Sequence, residues 1–268
     1  MSLKSASTAL VTGASFGIGL EMARELAARG HNLVLAARNI EKLREVSREL
    51  SSASIRVEIL QTDLSQSGAA RALYDELKRR GIKIDILINN AGSGIHGHFT
   101  DMDWQAVSAM LRLNIESLTE LTHLFLRDFL EARAGRILNV ASTAAFQPGP
   151  LMACYYASKA FVLSFSEALC EELRDSAVTV TALCPGPTHS EFQKRAGMGH
   201  VELFTRFSMK TRQVARDGVQ AMLKGKRLVV SGWLNNLLVF LIRFSPRFLT
   251  PKLVYSFQSG RLASSQKK

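Results

Sequence analysis

The feature that most constrains the fold of this chain is an alternation of short apolar runs, rich in β-branched residues, with longer stretches of helical periodicity. The near-continuous hydrophobicity of the short runs predicts strands of a parallel sheet that is buried on both faces. Strands that alternate with helices predict a doubly wound sheet with right-handed crossovers. Predicted strands cover residues 8–11, 32–36, 55–60, 85–88, 136–140, 178–183 and 227–230, and predicted helices cover residues 18–28, 40–50, 68–79, 104–129 and 155–173.

The length and composition of the chain fit one α/β domain. The chain has 268 residues, of which 47% are hydrophobic and 21% are charged, a normal balance for a fold with a sizeable core. This length favours one large domain over two. No internal repeat and no linker rich in proline, glycine or serine divides the sequence. We therefore predict a single Rossmann-type domain over residues 1–268, with about seven parallel strands and helices on both faces.

Several classes of protein are disfavoured by the sequence. No apolar region with a cleavage site opens the chain, and no run of about 18 uncharged apolar residues occurs, so we expect neither secretion nor a membrane span. Cys154, Cys170 and Cys184 form no CxxC pair and indicate free thiols in a reducing compartment, which favours a cytoplasmic protein. His96 and His98 lack a third ligand at suitable spacing, so we expect no metal site.

A glycine-rich turn follows the first predicted strand. The segment reads Thr12-Gly13-Ala14-Ser15-Phe16-Gly17-Ile18-Gly19 and leads into an amphipathic helix. Gly13 permits a tight turn, while Gly17 and Gly19 remove side chains where the backbone must approach a pyrophosphate. The helix that follows points its N-terminal N–H groups and the positive end of its dipole at the phosphates. An ordinary βα turn is the alternative, but the position between strand and helix favours a dinucleotide site.

The Gly-x-x-x-Gly-x-Gly spacing of this turn resembles that of the short-chain dehydrogenase/reductase family, and the resemblance continues in order over about residues 8–190. It implies an oxidoreductase with a nicotinamide dinucleotide cofactor. The matching motifs are Asp63-Leu64, where the family contacts adenine, Asn89-Asn90-Ala91-Gly92, Asn114, Ser142, Tyr155-Tyr156-Ala157-Ser158-Lys159 and Pro185-Gly186. The resemblance also implies that Thr188 and Ser190 contact the nicotinamide amide and the phosphates, with Ser190 departing from the family's usual threonine.

The end of the second predicted strand predicts which nicotinamide cofactor is used. A site that prefers NAD usually carries an acidic residue here, which binds the adenosine ribose 2′-OH. This chain has Ala37, which cannot repel a phosphate, followed by Arg38, whose guanidinium suits a 2′-phosphate in bidentate geometry. An arginine that points to solvent is the alternative. We predict NADP(H).

The spacing of Tyr155 and Lys159 predicts proton transfer. The two residues are four apart on one predicted helix and share a face. An ordinary tyrosine has a pKa near 10, so exchange near pH 7 requires the pKa to fall by about 3, or about 4 kcal/mol. One cation at about 4 Å supplies about that much at an effective dielectric constant near 20, so we expect Lys159 and the positive nicotinamide ring of the oxidised cofactor together to suffice. Tyr156 shares a face with Lys159 as well, but the family separates its serine and tyrosine by 13 residues, as Ser142 and Tyr155 are.

The resemblance supplies roles for the other members of this group. It implies that Ser142 polarises the substrate carbonyl, that Lys159 also holds the nicotinamide ribose, and that Asn114 anchors a water that relays protons to Lys159. A tyrosine and a lysine that share a helix face, without other matching residues, could equally be a purely structural pair. With the serine and the asparagine also present, we expect NADPH to deliver hydride to a carbonyl carbon while Tyr155 protonates the oxygen, and the reverse reaction to use Tyr155 as base.

Residues 188–226 form the predicted substrate lid region, because the family places its lid here. Large flexible apolar side chains suit a lipophilic substrate, and basic residues suit an anionic tail such as an acyl thioester carrier. An amphipathic helix that packs on its own domain is the alternative. The apolar residues are Phe192, Met198, Leu203, Phe204, Phe207 and Met209, and the basic ones are Lys194, Arg195, Arg206 and Lys210.

The net charge of +11 is concentrated in the C-terminal part. Residues 1–187 carry 19 Lys/Arg and 20 Asp/Glu, a net of −1, while residues 188–268 carry 15 and 3, a net of +12. Residues 233–268 form a basic amphipathic segment, and Ser245-Pro246 and Thr250-Pro251 each predict the start of a short helix. Leucines and isoleucine recur at i, i+3, i+4, i+7 and i+8 on one face, at Leu234, Leu237, Leu238, Leu241 and Ile242.

This C-terminal profile is typical of a segment that binds a membrane interface. Helices that cover the substrate pocket or a subunit interface are the alternative. Nucleic-acid binding is disfavoured, because the charges are interleaved with bulky aliphatic residues instead of lining a polar face.

The function that we predict is NADP(H)-dependent reduction of a ketone, an aldehyde or a 3-oxoacyl group on a lipophilic substrate. Oxidation of a secondary alcohol, including a steroid-like one, is an alternative within the same class. A non-catalytic protein that senses NADP(H) or docks on membranes is an alternative from another class. From the resemblance we expect a homodimer or homotetramer that assembles through the helices at residues 104–129 and 155–173.

Overall fold

A parallel sheet forms the centre of the fold. The computed structural model describes residues 7–52, 54–189, 191–192, 196 and 208–259. Seven strands pair in the order β3-β2-β1-β4-β5-β6-β7, all parallel, which confirms the predicted doubly wound Rossmann-type sheet. The strands are β1 (Thr8–Thr12), β2 (Asn32–Ala37), β3 (Val57–Gln61), β4 (Ile86–Asn89), β5 (Gly135–Val140), β6 (Val178–Cys184) and β7 (Leu228–Val230).

Nine α-helices flank the sheet within the described residues. Two of them begin at side-chain caps, because Asn39 accepts a hydrogen bond from the amide of Lys42 and Asp103 accepts from the amides of Gln105 and Ala106. The helices are α1 (Gly17–Ala27), α2 (Ile40–Leu50), α3 (Ala69–Arg79), α4 (Trp104–Leu111), α5 (Ser117–Glu131), α6 (Ala153–Glu172), α7 (Thr211–Leu223), α8 (Trp233–Ile242) and α9 (Leu249–Ser259).

The core consists of two layers, one on each face of the sheet. On one face α1, α2 and α7 contribute Met22, Leu43 and Val219. On the other face α3, α5 and α6 contribute buried side chains such as Leu77 and Phe129. Burial on both faces explains why the strands read as almost continuous apolar runs in the sequence.

Two predictions about helices need correction. The continuous helix predicted over residues 104–129 is divided by a π-helical turn at Arg112–Glu116 between α4 and α5. Residues 211–223, assigned by sequence to the lid region, form α7, a core helix in which Val214 and Val219 are fully buried. Gly218 lets this helix approach the sheet, since an added Cβ would lie 2.7 Å from Cδ2 of Leu183.

Much of the predicted lid region lies outside the described residues, as do residues 260–268. The lid residues concerned are Ser190, Lys194, Arg195, Met198, Leu203, Phe204, Arg206 and Phe207.

The C-terminal segment forms α8 and α9. The turn at Ser245-Pro246 does not start an α-helix, and α9 begins at Leu249, ahead of Thr250-Pro251. The amide of Leu249 donates a 3.0 Å hydrogen bond to the carbonyl of Pro246, so this proline belongs to a tight turn between the two helices. Within the described part of the chain, no helix has the length and apolarity needed to cross a membrane.

Candidate active site

A cleft of about 1380 Å³ lies at the carboxyl ends of the strands. It runs from the glycine-rich turn after β1, past the ends of β4 and β5, to the inner faces of α8 and α9. The strand order reverses between β1 and β4, and in open α/β sheets ligands bind in the crevice at that reversal. The position and the volume fit a dinucleotide together with a second molecule.

The glycine-rich turn is closed so tightly that side chains are excluded. Gly13 adopts a φ of +66°, and its amide donates a 2.8 Å hydrogen bond to the carbonyl of Ala36. An added Cβ at Gly19 would lie 2.4 Å from the carbonyl oxygen of Gly13. The residue before α1 is Phe16, which has no polar group to cap the helix, and the first turn holds no acidic residue. The positive end of α1 therefore suits an anion in the cleft, which Ser15, Gly17 and Ile18 also line.

Thr12 and Asn90 fasten the end of β1 to the end of β4. The hydroxyl of Thr12 accepts from the amides of Asn90 (3.0 Å) and Ala91 (3.1 Å) and donates to the carbonyl of Ile88 (3.2 Å). The side-chain amide of Asn90 donates to the carbonyl of Thr12 at 2.9 Å. The predicted residues Asn90 and Ala91 thus line the cleft and are fixed there by hydrogen bonds to Thr12. The role of Thr12 was not predicted from the sequence.

Arg38, Asp63 and Leu64, the residues predicted to contact the adenosine, line the same cleft. Arg38 is exposed at the end of β2, after the buried Ala37. Burial acts to raise the pKa of Asp63, but hydrogen bonds from Ser65 and the positive charge of Arg38 outweigh it and hold the pKa below its usual range. This wall therefore combines a fixed carboxylate with an exposed guanidinium.

Asn114 lies in the π-helical turn and is almost fully buried, with 1% of its surface exposed. Its Oδ1 accepts from the amide of Ser93 at 3.0 Å, and its Nδ2 donates to the carbonyl of Ser93 at 2.9 Å and to Oγ of Ser158 at 3.0 Å. An added Cβ at Gly92 would lie 3.3 Å from both Oδ1 of Asn114 and Nζ of Lys159. The glycine thus keeps open the space between the asparagine and the lysine.

Ser142 and Tyr155 meet at the floor of the cleft. Ser142 begins a short helical turn at Thr143–Phe146, where its Oγ accepts from the amide of Ala144 at 3.1 Å. The side chain of Ser142 lies near enough to the hydroxyl of Tyr155 to act on its pKa, and both residues line the cavity. The ring of Phe192 packs 5.4 Å from the ring of Tyr155, measured between centroids, so an aromatic side chain borders the phenol.

Burial dominates the pKa values of the tyrosine and lysine pair. It raises the pKa of Tyr155 to about 12, against the opposite effect of the nearby Ser142 side chain. It lowers the pKa of Lys159 to about 8. Nζ of Lys159 donates at 2.8 Å to the carbonyl of Val140 and lies 6.0 Å from the centroid of the Tyr155 ring. The protein's own groups therefore raise the tyrosine pKa, and the predicted lowering depends on the positive ring of the oxidised cofactor as well as on Lys159.

The loop after β6 forms the next wall of the cleft. Pro185, Gly186 and Thr188 line the cavity, and Oγ1 of Thr188 donates to the carbonyl of Gly186 at 2.9 Å. The side chain of Asn235 in α8 packs directly over Gly186. Ser190, the remaining predicted contact in this loop, lies outside the described residues.

The far end of the cavity is built by α8 and α9, as in the alternative by which the C-terminal helices cover the substrate pocket. The amide of Gln258 in α9 donates to the hydroxyl of Tyr156 at 3.0 Å, over a sequence separation of 102 residues. Gln258 is 3% exposed, and its Oε1 has no hydrogen-bond partner among the described residues. Apolar side chains from both helices complete this wall, at Leu234, Leu238, Val239, Ile242, Leu253 and Val254.

Comparison with known proteins agrees with the fold and the motif order. The profile of the short chain dehydrogenase family matches residues 7–199, and the chain belongs to the short-chain dehydrogenase/reductase family. The 17-beta-hydroxysteroid dehydrogenase type 3 of Mus musculus is 38% identical over 183 residues, which are 66% of this chain and 58% of that relative. The very-long-chain 3-oxoacyl-CoA reductase of Homo sapiens is 34% identical over 183 residues, again 66% of this chain and 58% of the relative.

Solved structures resemble the chain over more of its length. A short-chain dehydrogenase from Sphingobium yanoikuyae in complex with NADPH superposes with a TM-score of 0.78 at 31% identity, over 90% of this chain and 96% of that one. A short-chain dehydrogenase/reductase from Burkholderia phymatum in complex with NAD gives 0.77 at 25% identity, over 88% and 92%. The chain therefore spans about three-fifths of the two curated relatives named above and nearly all of these two structures.

Proposed function

We propose that the protein is an NADP(H)-dependent oxidoreductase that transfers hydride between the nicotinamide and the carbonyl or carbinol carbon of a lipophilic substrate. The observation that carries the proposal is that Ser142, Tyr155 and Lys159 line one cavity, with Nζ of Lys159 6.0 Å from the centroid of the Tyr155 ring. This arrangement offers a proton donor, a second hydrogen-bond donor for an oxygen, and a cation. It supports proton transfer to a substrate oxygen next to a hydride donor.

The residues of the cleft fit a nicotinamide dinucleotide. The turn at Gly13, Gly17 and Gly19 would hold the pyrophosphate at the positive end of α1, where side chains are excluded. Asp63 and Leu64 would contact the adenine, Gly92 and Lys159 the nicotinamide ribose, and the loop after β6 the nicotinamide. The bound cofactor supplies or accepts the hydride.

Side chains of the protein would hold and transfer the proton. With its pKa near 12, Tyr155 holds its proton at neutral pH and can donate it to the oxygen of a carbonyl substrate. Ser142 would donate a second hydrogen bond to that oxygen and stabilise the negative charge that develops on it. Lys159, largely protonated below pH 8, would stabilise the tyrosinate that remains. The space between Asn114 and Lys159, kept open by Gly92, suits a water that returns the proton.

The choice of NADP(H) over NAD(H) rests on the end of β2. Ala37 offers no carboxylate for a ribose hydroxyl, and the exposed Arg38 provides a guanidinium for a 2′-phosphate. The relative from Sphingobium yanoikuyae in complex with NADPH supports this choice, while the one in complex with NAD means that the family alone does not decide it.

The substrate that the cavity favours is lipophilic. Phe192, Leu238 and Val239 line it beyond the tyrosine, and apolar walls of this kind suit a hydrocarbon skeleton. A steroid-like alcohol or ketone and a 3-oxoacyl thioester are both consistent with the names of the similar proteins. A Tyr155 that holds its proton at neutral pH suits the role of proton donor in reduction.

Assembly and location complete the proposal. We expect a homodimer or homotetramer through α5 and α6, where Phe161 and Leu130 are exposed. Free thiols favour a reducing compartment such as the cytoplasm.

The test is consumption of NADPH, with NADH in parallel, against ketones, aldehydes and 3-oxoacyl thioesters. We expect turnover with NADPH, and loss of at least about a thousandfold in Tyr155→Phe while NADPH still binds. Tyr156→Phe is the matched control, because it removes a neighbouring phenol of the same cavity. Normal turnover in Tyr155→Phe would overturn the assignment. Cofactor binding without turnover on any substrate would favour the sensing role.

A further inference from the structure

An unusual concentration of exposed apolar side chains marks the outer surface of α8, α9 and the turn between them. The described residues hold fourteen exposed large hydrophobic side chains, and all but four belong to residues 233–255. Trp233 is 79% exposed, Phe244 73% and Phe248 68%. We call this region the α8–α9 surface. Its other members are Leu237, Leu238, Phe240, Leu241, Leu249, Leu253 and Tyr255.

The charged side chains named on the α8–α9 surface are all positive. Arg243, Arg247 and Lys252 are exposed among the apolar side chains, and residues 227–268 contain no acidic residue. Apolar side chains interleaved with uncompensated cations fit the boundary between the headgroups and acyl chains of an anionic bilayer. Monomeric soluble proteins seldom expose so large a contiguous apolar patch without a binding role.

The same helices form the wall of the substrate cavity. Leu238 and Leu253 line the cavity and, at 49% and 58% exposed, also belong to the α8–α9 surface as defined above. The α8–α9 surface and the cavity therefore share two side chains. A molecule that enters between α8 and α9 from a docked bilayer would pass side chains that line the cleft.

We propose that the α8–α9 surface docks on an anionic lipid bilayer and that the lipophilic substrate enters the cavity from that bilayer. The docking is independent of the chemistry, and only the route of the substrate rests on the proposed function.

A second copy of the chain is the weaker candidate for the occupant. In a two-fold dimer the same patch faces itself, so Arg243, Arg247 and Lys252 of one copy would approach those of the other. No acidic residue after position 227 is available in either copy to offset them. An anionic membrane supplies both the apolar phase and the opposite charge.

The experiment is co-flotation of the purified chain with phosphatidylcholine vesicles that contain or lack phosphatidylglycerol, at low and high salt. We expect binding that requires phosphatidylglycerol and weakens several-fold at high salt. Phe244→Ser with Phe248→Ser should weaken it by about tenfold or more for each aromatic side chain removed. The control is Phe99→Ser, which removes an exposed phenylalanine elsewhere. Arg243→Glu with Arg247→Glu should remove the preference for phosphatidylglycerol, and Arg56→Glu should not.

The outcomes separate the possibilities. The substituted side chains do not line the cavity, so turnover of a small water-soluble ketone should stay unchanged and report correct folding. Failure of the unmodified chain to float at low salt, or equal flotation of all the variants, would overturn the proposal. So would a dimer that the two serine substitutions dissociate, because a second copy would then cover the surface. Flotation needs no turnover, so a chain that floats without reducing anything would count against the proposed function alone.

Discussion

The side chain of Asn235 occupies the space in which Gly186 would carry a Cβ, since an ideal Cβ there lies 2.3 Å from Nδ2 of the asparagine. Nδ2 also donates to the carbonyl of Ser231 at 2.7 Å, which holds the asparagine in place at the start of α8. The loop after β6 and the C-terminal helices are therefore in direct contact, and neither can move without the other.

Gly186→Ala should displace α8 from this loop. We expect kcat/KM with NADPH to fall by about tenfold or more, because overpacking at a buried contact typically costs about 1–3 kcal/mol. Steady-state kinetics and thermal unfolding measure the two effects. Gly186→Ala combined with Asn235→Ala tests the cause, since the second change removes the side chain that the new methyl group meets. If the double variant recovers nothing, the contact is not the reason for the loss.

Asn114→Ala should destabilise the fold as well as slow turnover. The substitution removes the partner of the part-buried amide and carbonyl of Ser93 and of the buried hydroxyl of Ser158, at about 1–3 kcal/mol for each buried group left unsatisfied. Urea unfolding should show a decrease of about 2–4 kcal/mol in the free energy of unfolding. Asn236→Ala is the control, because that exposed amide also bonds two backbone carbonyls but remains open to water. Equal losses in both variants would contradict this account of the π-helical turn.

Arg38→Asp should shift the cofactor preference from NADPH to NADH. The carboxylate repels a 2′-phosphate and can accept a hydrogen bond from a ribose hydroxyl. We expect kcat/KM for NADPH to fall by about 10- to 100-fold, the worth of one charge-assisted pair, while that for NADH holds or rises. Arg56→Asp removes an exposed arginine before β3, at the amino-terminal end of the strands and so at the opposite end from Arg38, and should leave the ratio unchanged. If the ratio of kcat/KM for NADPH to that for NADH does not change in Arg38→Asp, residues other than Arg38 recognise the 2′-phosphate.

The pH dependence of kcat/KM for NADPH should follow the protonation of Lys159. Its pKa in the free protein is about 8, so kcat/KM for NADPH should decline as pH rises through that value and the cation is lost. Unfolding does not explain such a decline. Because the folded-state pKa is depressed, deprotonation of Lys159 favours the folded state between pH 8 and the ordinary lysine pKa of 10.5. The decline should be absent from the residual activity of Lys159→Met, and its persistence there would assign it to another group.

His31 should make the fold sensitive to mild acid. It is 5% exposed, and its Nδ1 lies 2.8 Å from Oγ of Ser7. Burial holds the pKa of His31 below its usual 6.5, so its contribution to stability is present above 6.5 and is lost as pH falls through the folded-state pKa. Urea unfolding at pH 7.5 and 5.5 should show a smaller loss in His31→Gln than in the unmodified chain. Equal losses would mean that the carboxylates dominate.

The strands and the cofactor turn could be predicted from the sequence because their signals are local. The run at 32–36 differs by one residue from β2, and the helix at 40–50 matches α2. The π-helical turn at Asn114 could not be predicted, because the amide that stabilises it bonds Ser93, 21 residues away. The contact between Tyr156 and Gln258 is likewise set by packing between distant segments. The burial of Tyr155, which raises its pKa, could not be predicted either, because it depends on how distant segments pack around the phenol.

The boundary of the family profile has a consequence for how this protein can diverge. The profile ends at residue 199, whereas Leu238 and Leu253 lie beyond it and belong to both the cavity wall and the outer surface. A substitution at either leucine alters what the cavity accepts and what the exterior adheres to in the same step. Selection for a new substrate would therefore carry a change in the protein's surroundings with it, and the two traits would evolve together.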